Sequence, residues 1–300
     1  MRVPSISAPS IAGGRRAISP GTWRSAGPAP TGGQAVRPVL AVSPHLDDAV
    51  LSAGGRIARM TGAGHPVTVF TLFAGLASGP YSPVARRFHE EWGISGDPVS
   101  HRREEDLRAL GWLGAQAVHG EFPDAIYRTD RTGRWILDDR SCSADRVAHD
   151  EADLTTRASE RIRALIADLR PSLILTCASV GKHVDHVLTR DAVRAAVGMT
   201  GVRLEFWADL PYLEVPSQAL DESLLSRAGE HAAVPFPLDA REWLAKVSAV
   251  GEYTSQHAAL WPGAGSVAQV MREQAENIGS AYGQMGPCEL FLDDVAGDAE

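Results

Sequence analysis

The stretch Val39-Leu40-Ala41-Val42-Ser43-Pro44-His45-Leu46-Asp47-Asp48-Ala49 decides the fold. Val39 to Val42 read as a buried strand, Ser43-Pro44 breaks it, and a helix-like run continues from Ala49 to Arg59. The junction carries His45, Asp47 and Asp48 at the carboxyl end of a strand. That is where parallel sheets covered by helices keep their chemistry. A second segment repeats the arrangement. Leu173 to Cys177 reads as a buried strand, the loop after it holds His183-Val184-Asp185-His186, and a helical stretch runs from Leu188 to Val197. Two strand ends thus deliver imidazoles and carboxylates together, the economical signature of a divalent metal site built for hydrolysis.

Strand-like and helix-like segments alternate elsewhere too, so the expected fold class is α/β with a mostly parallel sheet. In the first helix Val50, Ala53, Gly54 and Ile57 share a stripe opposite Ser52, Arg56 and Arg59, and the helix closes near Gly62. Val67 to Phe73 is a strand, followed by a long loop containing Gly75, Gly79, Pro80 and Pro83. Arg102 to Leu113 is a charged helix with Leu107, Leu110 and Leu113 turned inward. The polar stretch Asp130 to Asp150 is a candidate active-site flap with a hairpin around Thr132-Gly133-Arg134. Ala158, Ile162, Leu165, Ile166 and Leu169 form a helical stripe that Pro171 ends. Leu204 to Leu210 is a further strand, and the last long helix covers Asp239 to Gln256.

Across 300 residues, hydrophobic content of 44%, aromatics of 6% and charge of 22% are ordinary for a globular enzyme. The net charge of -8 disfavours a nucleic-acid binder, which needs a basic surface for phosphates. Met1 to Arg37 is rich in Pro, Gly, Ser, Ala and Arg and reads as a disordered or loosely packed leader, leaving residues 38–300 as a single domain. Arg15-Arg16 is followed by no apolar core of signal-peptide length, and no run is long enough to cross a bilayer. Three cysteines, Cys142, Cys177 and Cys288, form no CxxC pair, which fits a cytoplasmic protein; Cys177 reads as a small buried hydrophobe. No feature of the sequence speaks to oligomeric state.

The spacing defines the chemistry. His45 and Asp48, three apart at a helix start, can reach one ion, and His186 supplies a third ligand from the second strand end. Two imidazoles and a carboxylate suit catalytic zinc, which polarises a carbonyl and lowers the pKa of bound water to about 7. Asp47, pointing differently, is the candidate general base. His183 would lie across the ion, stabilising the oxyanion as imidazolium or protonating the leaving amine, and Asp185 would fix the orientation of an imidazole. Plainer readings exist for each residue: either aspartate as a helix N-cap, His45 as a core or loop histidine, His183 on the surface. Capping accounts for one carboxylate and leaves the other residues unexplained.

Pro44-His45-x-Asp47-Asp48 with His183-x-Asp185-His186 resembles the PIG-L or LmbE-like family of zinc-dependent de-N-acetylases. Arg102-x-x-Glu105, Ala109, Leu113-Gly114, Phe122-Pro123-Asp124, and Lys246, Ala249, Tyr253 and Ser255-Gln256 match the family in order, so the resemblance spans roughly Pro38 to Gln256. It implies a Rossmann-like sheet with helices on both faces and hydrolysis of the N-acetyl group of an N-acetylglucosamine-like sugar or its conjugate. It also implies Zn2+, or another divalent ion such as Fe2+, on His45, Asp48 and His186, with Asp47 as base and His183 serving oxyanion and leaving group. Arg102 and Asp124 would contact a small amino-sugar substrate. Their plainer readings are a solvated helix face and a turn residue. Leu46 departs from the family's frequent proline, and Phe73-Ala74-Gly75 from its usual turn. Trp207 and Tyr212, near a strand end, are the aromatics best placed to meet a sugar. The rivals are an amidase for a glucosamine-containing thiol conjugate, a non-catalytic sugar-binding homologue, and a non-haem Fe(II) oxygenase, whose facial triad uses the same ligand set but has no need of Asp47.

Overall fold

Every residue of β1, Val39–Ser43, is buried, because this strand lies inside the sheet and carries helices on its faces. The structure, a computed structural model, describes residues 36–137, 151–198, 200–213, 233–263 and 265–293, all within the unit Val36–Glu300. β2 (Val67–Thr71) and β3 (Gln116–His119) continue the sheet on one side of β1, and β4 (Leu173–Cys177) and β5 (Arg203–Trp207) on the other, all parallel. β6 (Ala233–Pro237) and β7 (Cys288–Asp293) pair antiparallel beyond β5, giving the order β3-β2-β1-β4-β5-β7-β6. The chain runs outward from β1 to β3 and then restarts at β4 on the opposite side of β1. The loops after β1 and β4 therefore flank a topological switch point, where an open α/β sheet leaves a crevice. Thr176 Oγ1 donates to the Val42 carbonyl at 2.9 Å there, tying the two strand ends together.

The helices are α1 (Asp48–Gly62), α2 (Pro83–Trp92), α3 (Pro98–Leu113), α4 (Ala152–Leu169), α5 (Val184–Val197), α6 (Ala240–Val250), α7 (His257–Leu260) and α8 (Val267–Ala281). α1, α3 and α6 pack against one another, and α4 packs against α5. Among the described residues no helix is long and apolar enough to cross a membrane.

The sequence reading departs from this structure at identifiable points. α2 lies inside what reads as a long loop; its marker is Ser82-Pro83, where Ser82 Oγ caps the Ala85 N–H at 2.9 Å and Pro83 takes the first helical turn. Leu107 is 56% exposed instead of inward. Leu110 and Leu113 are buried as read, and Arg102, Glu105, Asp106 and Ala109 share the inner face with them, so charged residues take the place expected of Leu107. The helix expected to reach Gln256 stops at Val250 because the following turn bonds back to α3. Ser255 donates N–H and Oγ–H to Glu105 at 2.9 and 2.6 Å, and Tyr253 donates to Asp106 at 2.7 Å. α8 follows, so that helix is not the last. The strand read as Leu204 to Leu210 ends at Trp207. The expected hairpin is present as a single bridge, Thr129 to Trp135, while residues 138–150 and the leader up to Ala35 lie outside the described residues. Cys177 is fully buried, as read.

The polar side of α1 is covered as well. Ser52 is buried, and Arg56 forms an ion pair with Glu205. Glu289 of β7 accepts the Gly55 and Arg56 N–H groups at 2.8 and 2.9 Å and the Lys246 ammonium at 2.7 Å. A Cβ on Gly55 would stand 2.5 Å from Leu238, so glycine permits this close approach. Lys246 and Glu289 are both fully buried, and removing one partner strands the other charge. Lys246→Met is therefore expected to cost about 3–5 kcal/mol in denaturant unfolding. A loss below about 1 kcal/mol would show that the pair does not anchor α1.

Candidate active site

Ser43 closes the turn after β1: its Oγ–H donates to the His45 carbonyl at 2.8 Å, and its Oγ accepts from the Ala49 N–H at 3.1 Å. Asp47 stands at the N-cap position of α1, yet its side chain caps nothing, and its φ of 154° lies in a region that non-glycine residues rarely occupy. The capping reading therefore fails for Asp47. Asp48 accepts the His45 backbone N–H at 2.8 Å, and its Oδ2 lies 3.2 Å from His45 Nδ1 and 3.4 Å from His186 Nε2. The two strand ends thus bring His45, Asp48 and His186 to one point.

Which ring nitrogens face that point is set by carboxylates behind the rings. His45 Nε2–H donates to Asp185 Oδ2 at 3.0 Å, and His186 Nδ1–H donates to Asp209 Oδ1 at 2.6 Å. The remaining lone pairs, His45 Nδ1 and His186 Nε2, are turned toward Asp48. Asp185 is itself held by the Ala125 N–H at 2.9 Å and the Arg128 guanidinium at 2.6 Å, and Asp209 by the Val180 N–H at 2.9 Å. His186 Nε2 is buried with no hydrogen bond, and an orphan of this kind beside an anionic oxygen fits a cation. The donor set of two imidazoles and one carboxylate fits zinc. Among the described residues, three groups have ligand atoms that all lie within 4.8 Å of one another: His45, His183 and His186; Cys177, His186 and Asp209; and His45, Asp124 and Asp185.

The charges agree with a cation site. Burial opposes the charge of Asp48, but His186 and His45 outweigh it and hold the carboxyl far below its ordinary range. Burial likewise opposes protonation of His45 and His186, yet Asp124, Asp185 and Asp48 around the first, and Asp48 and Asp209 around the second, raise both. Without a metal the cage draws protons; a divalent ion satisfies the same carboxylates. Burial and the neighbouring Asp48 charge push Asp47 up to about 7, against the opposing Arg102, whose Nη2 lies 3.4 Å from Asp47 Oδ2. A base poised near neutrality can take a proton and return it.

His183 caps α5, with Nδ1 accepting the Asp185 N–H at 3.2 Å, and its ring centroid lies 5.1 Å from that of His45. Burial pushes it down to about 4. The imidazolium expected from the sequence is thus replaced by a neutral ring with Nε2–H as its one donor. Arg102 is buried, not part of a solvated face, and its guanidinium lies 4.9 Å from the centroid of the Trp92 ring. Asp124 is a turn residue as well as a site residue: Oδ1 accepts the Ile126 N–H at 3.1 Å, and Oδ2 lies 3.8 Å from His45 Nε2. Trp207 is fully buried, whereas Tyr212 borders His186 with ring centroids 5.7 Å apart. Sequence reasoning missed Asp209 and Arg128. The signal for Asp209 was an aspartate just past a third parallel strand; Arg128 carried none.

A model of the PIG-L family, described as GlcNAc-PI de-N-acetylase, matches residues 40–197. The chain belongs to this family. It is a metal-dependent N-deacetylase. It is similar to the teicoplanin-pathway deacetylase, with 34% identity, a TM-score of 0.72 and coverage of 88% of this chain and 100% of that one. The A40926 pseudoaglycone deacetylase is 36% identical with a TM-score of 0.70, over 88% of this chain and 99% of that one. The 2'-N-acetylparomamine deacetylase of Niallia circulans is 28% identical over 62% of this chain and 71% of its own length.

Two predictions follow from the cage. Asp209→Asn is expected to weaken metal binding by about 10–100-fold, because the amide no longer compels the His186 tautomer; unchanged affinity in a chelator competition would remove Asp209 from the site. Asp47 is raised from 3.8 toward 7, so in the metal-free protein the native state holds its proton longer than the unfolded chain does. That contribution lowers stability as pH rises from about 4 to about 7. Metal-free Asp47→Asn should accordingly gain Tm over the parent progressively across this window, and a constant difference would refute the buried, protonated carboxyl.

Proposed function

We propose that the chain removes the acetyl group from an N-acetylglucosamine-like sugar, releasing acetate and the free amine, with His45, Asp48 and His186 as ligands of one zinc ion. The observation that carries this reading is the convergence of two oriented lone pairs on the Asp48 carboxylate, beside an aspartate that caps nothing. Held by these residues, the ion would supply Lewis acidity to the amide carbonyl and the attacking water. Asp47 takes the proton as the water oxygen bonds to the carbonyl carbon, and passes it to the nitrogen as the C–N bond breaks. Arg102 keeps the Asp47 carboxylate aimed, and His183 offers Nε2–H to the oxygen on which negative charge develops. Asp124, 15% exposed at its side chain, has Oδ2 available to accept a sugar hydroxyl.

The substrate class follows from the relatives. Those matched along nearly their whole length act, by their descriptions, on teicoplanin and the A40926 pseudoaglycone, and others on N-acetylparomamine. The 1D-myo-inositol 2-acetamido-2-deoxy-alpha-D-glucopyranoside deacetylase of Saccharomonospora viridis acts, by its description, on an acetamido sugar joined to inositol. An N-acetylated amino sugar within a larger molecule is the substrate class proposed for this chain.

Incubating the zinc-loaded protein with N-acetylated sugars and their conjugates, and measuring acetate release, tests the reaction. Asp47→Asn should keep its metal and lose about 10²- to 10⁴-fold in turnover. His183→Ala should also keep its metal while losing rate, whereas His186→Ala should lose the metal. Loss of metal from His183→Ala would make the three histidines the ligand set.

A further inference from the structure

The turn after β5 is clamped from three sides. The Ala208 N–H donates to the Leu290 carbonyl at 2.9 Å, Asp209 holds His186 Nδ1 and the Val180 N–H, and the Leu210 N–H donates to Ser52 Oγ at 3.0 Å. Tyr212 projects from this fixed turn. Its ring meets His186 edge to face at 85°, and it lies over Gly181, where an added Cβ would stand 3.2 Å from the Tyr212 Cβ and Cγ. Gly181, with φ of 79°, leaves the space the ring occupies. Close packing on two sides is not what a solvent-facing tyrosine needs, yet 45% of its surface stays open.

Its hydroxyl has no hydrogen-bond partner among the described residues, whereas His186 Nδ1, His183 Nδ1, Asp185 and Asp209 nearby are all paired. Burial, and after it the charges of Asp48 and Asp47, ahead of Asp209 and Asp124, hold the phenol protonated, and the ring stands against His186, which also neighbours Asp48. The division of labour leaves a task for such a donor. His183 spends Nδ1 on the Asp185 N–H and retains one N–H, and one donor satisfies only part of a developing oxyanion.

We infer that Tyr212 is a further catalytic residue, donating its O–H to the acetyl carbonyl oxygen as negative charge develops on it. The inference rests on the deacetylation proposed above. The phenol keeps its proton throughout; it lends a hydrogen bond that strengthens as the carbonyl becomes tetrahedral and weakens again when acetate forms. The ring, wedged on Gly181 and His186, holds the hydroxyl in place, so little reorganisation accompanies the reaction.

Tyr212→Phe tests this directly, because the ring and its packing remain and only the hydroxyl is lost. We expect kcat for acetate release to fall about 10²-fold, with KM and zinc affinity each within about twofold of the parent. A methylphosphonamide analogue of the N-acetylated sugar, whose phosphoryl oxygens mimic the tetrahedral state, should lose affinity by a similar factor. An unchanged kcat, a loss confined to KM, or undiminished analogue affinity would each overturn the assignment. Acetate release by the parent and its loss in Asp47→Asn report on the deacetylase reading separately. Parent activity with an unaffected Phe variant therefore refutes only the role of Tyr212.

Discussion

The structure depends on two imidazole lone pairs being aimed at one carboxylate from separate strand ends. Neither histidine aims itself. Asp185 and Asp209, both fully buried, each hold the far nitrogen of a ring, and a carboxylate can only accept, so the tautomer is compelled. Each carboxylate is in turn fixed by a backbone N–H, from Ala125 and Val180 respectively. The precision of the cluster thus derives from main-chain donors in the loops around the switch point.

Gathering Asp47, Asp48, Asp124, Asp185 and Asp209 around two histidines would be costly without compensation, since burial penalises each charge. Arg128 offsets Asp185 at 2.6 Å, and Arg102 partly offsets Asp47 at 3.4 Å. Among the described residues Asp48 is offset by the histidines alone, an imbalance that a divalent ion would correct. It also explains why adjacent aspartates differ in character. Asp48 faces the rings and is held ionised, whereas Asp47 faces Asp48 and a distant arginine and is held near neutrality. A single peptide bond, with Asp47 at its unusual φ, separates the proposed ligand from the proposed base.

The parts of the fold legible in the sequence are those whose burial is apolar. β1, β4 and the α4 stripe read correctly because Val39–Val42, Ile174, Leu175 and Cys177, and Ala158, Ile162, Leu165 and Ile166 are hydrophobic and buried together. α3 resisted because its inner face carries Arg102, Glu105 and Asp106, whose partners lie far along the chain. β7 pairs antiparallel with β5 and buries Glu289, a residue no strand pattern would place inside. At the site, local motifs showed His45, Asp47, Asp48, His183, Asp185 and His186. Asp209 comes from a third strand end with no motif, where Tyr212 was legible as an aromatic near a strand end, and the neutral state of His183 comes from burial that only the folded loops provide.

Residues beyond the family-matched stretch 40–197 are as necessary to the geometry as those inside it. Asp209 sets the tautomer of His186; Lys246 and Glu289 hold the middle of α1, whose first turn carries Asp48; and Ser255 and Tyr253 fix α3 through Glu105 and Asp106. α3 in turn carries Arg102 to Asp47. Shifting α3 would move the arginine off the proposed base while leaving the proposed ligands, on α1, α5 and the loop after β1, in place. The Lys246 and Glu289 brace is shared, because α1 begins at Asp48 directly after Asp47. The Tyr253 and Ser255 brace serves α3 and Arg102. A defect in the brace of α3 is expected to leave a metal-loaded protein that turns over slowly, whereas a defect in the loops after β4 or β5 is expected to empty the site.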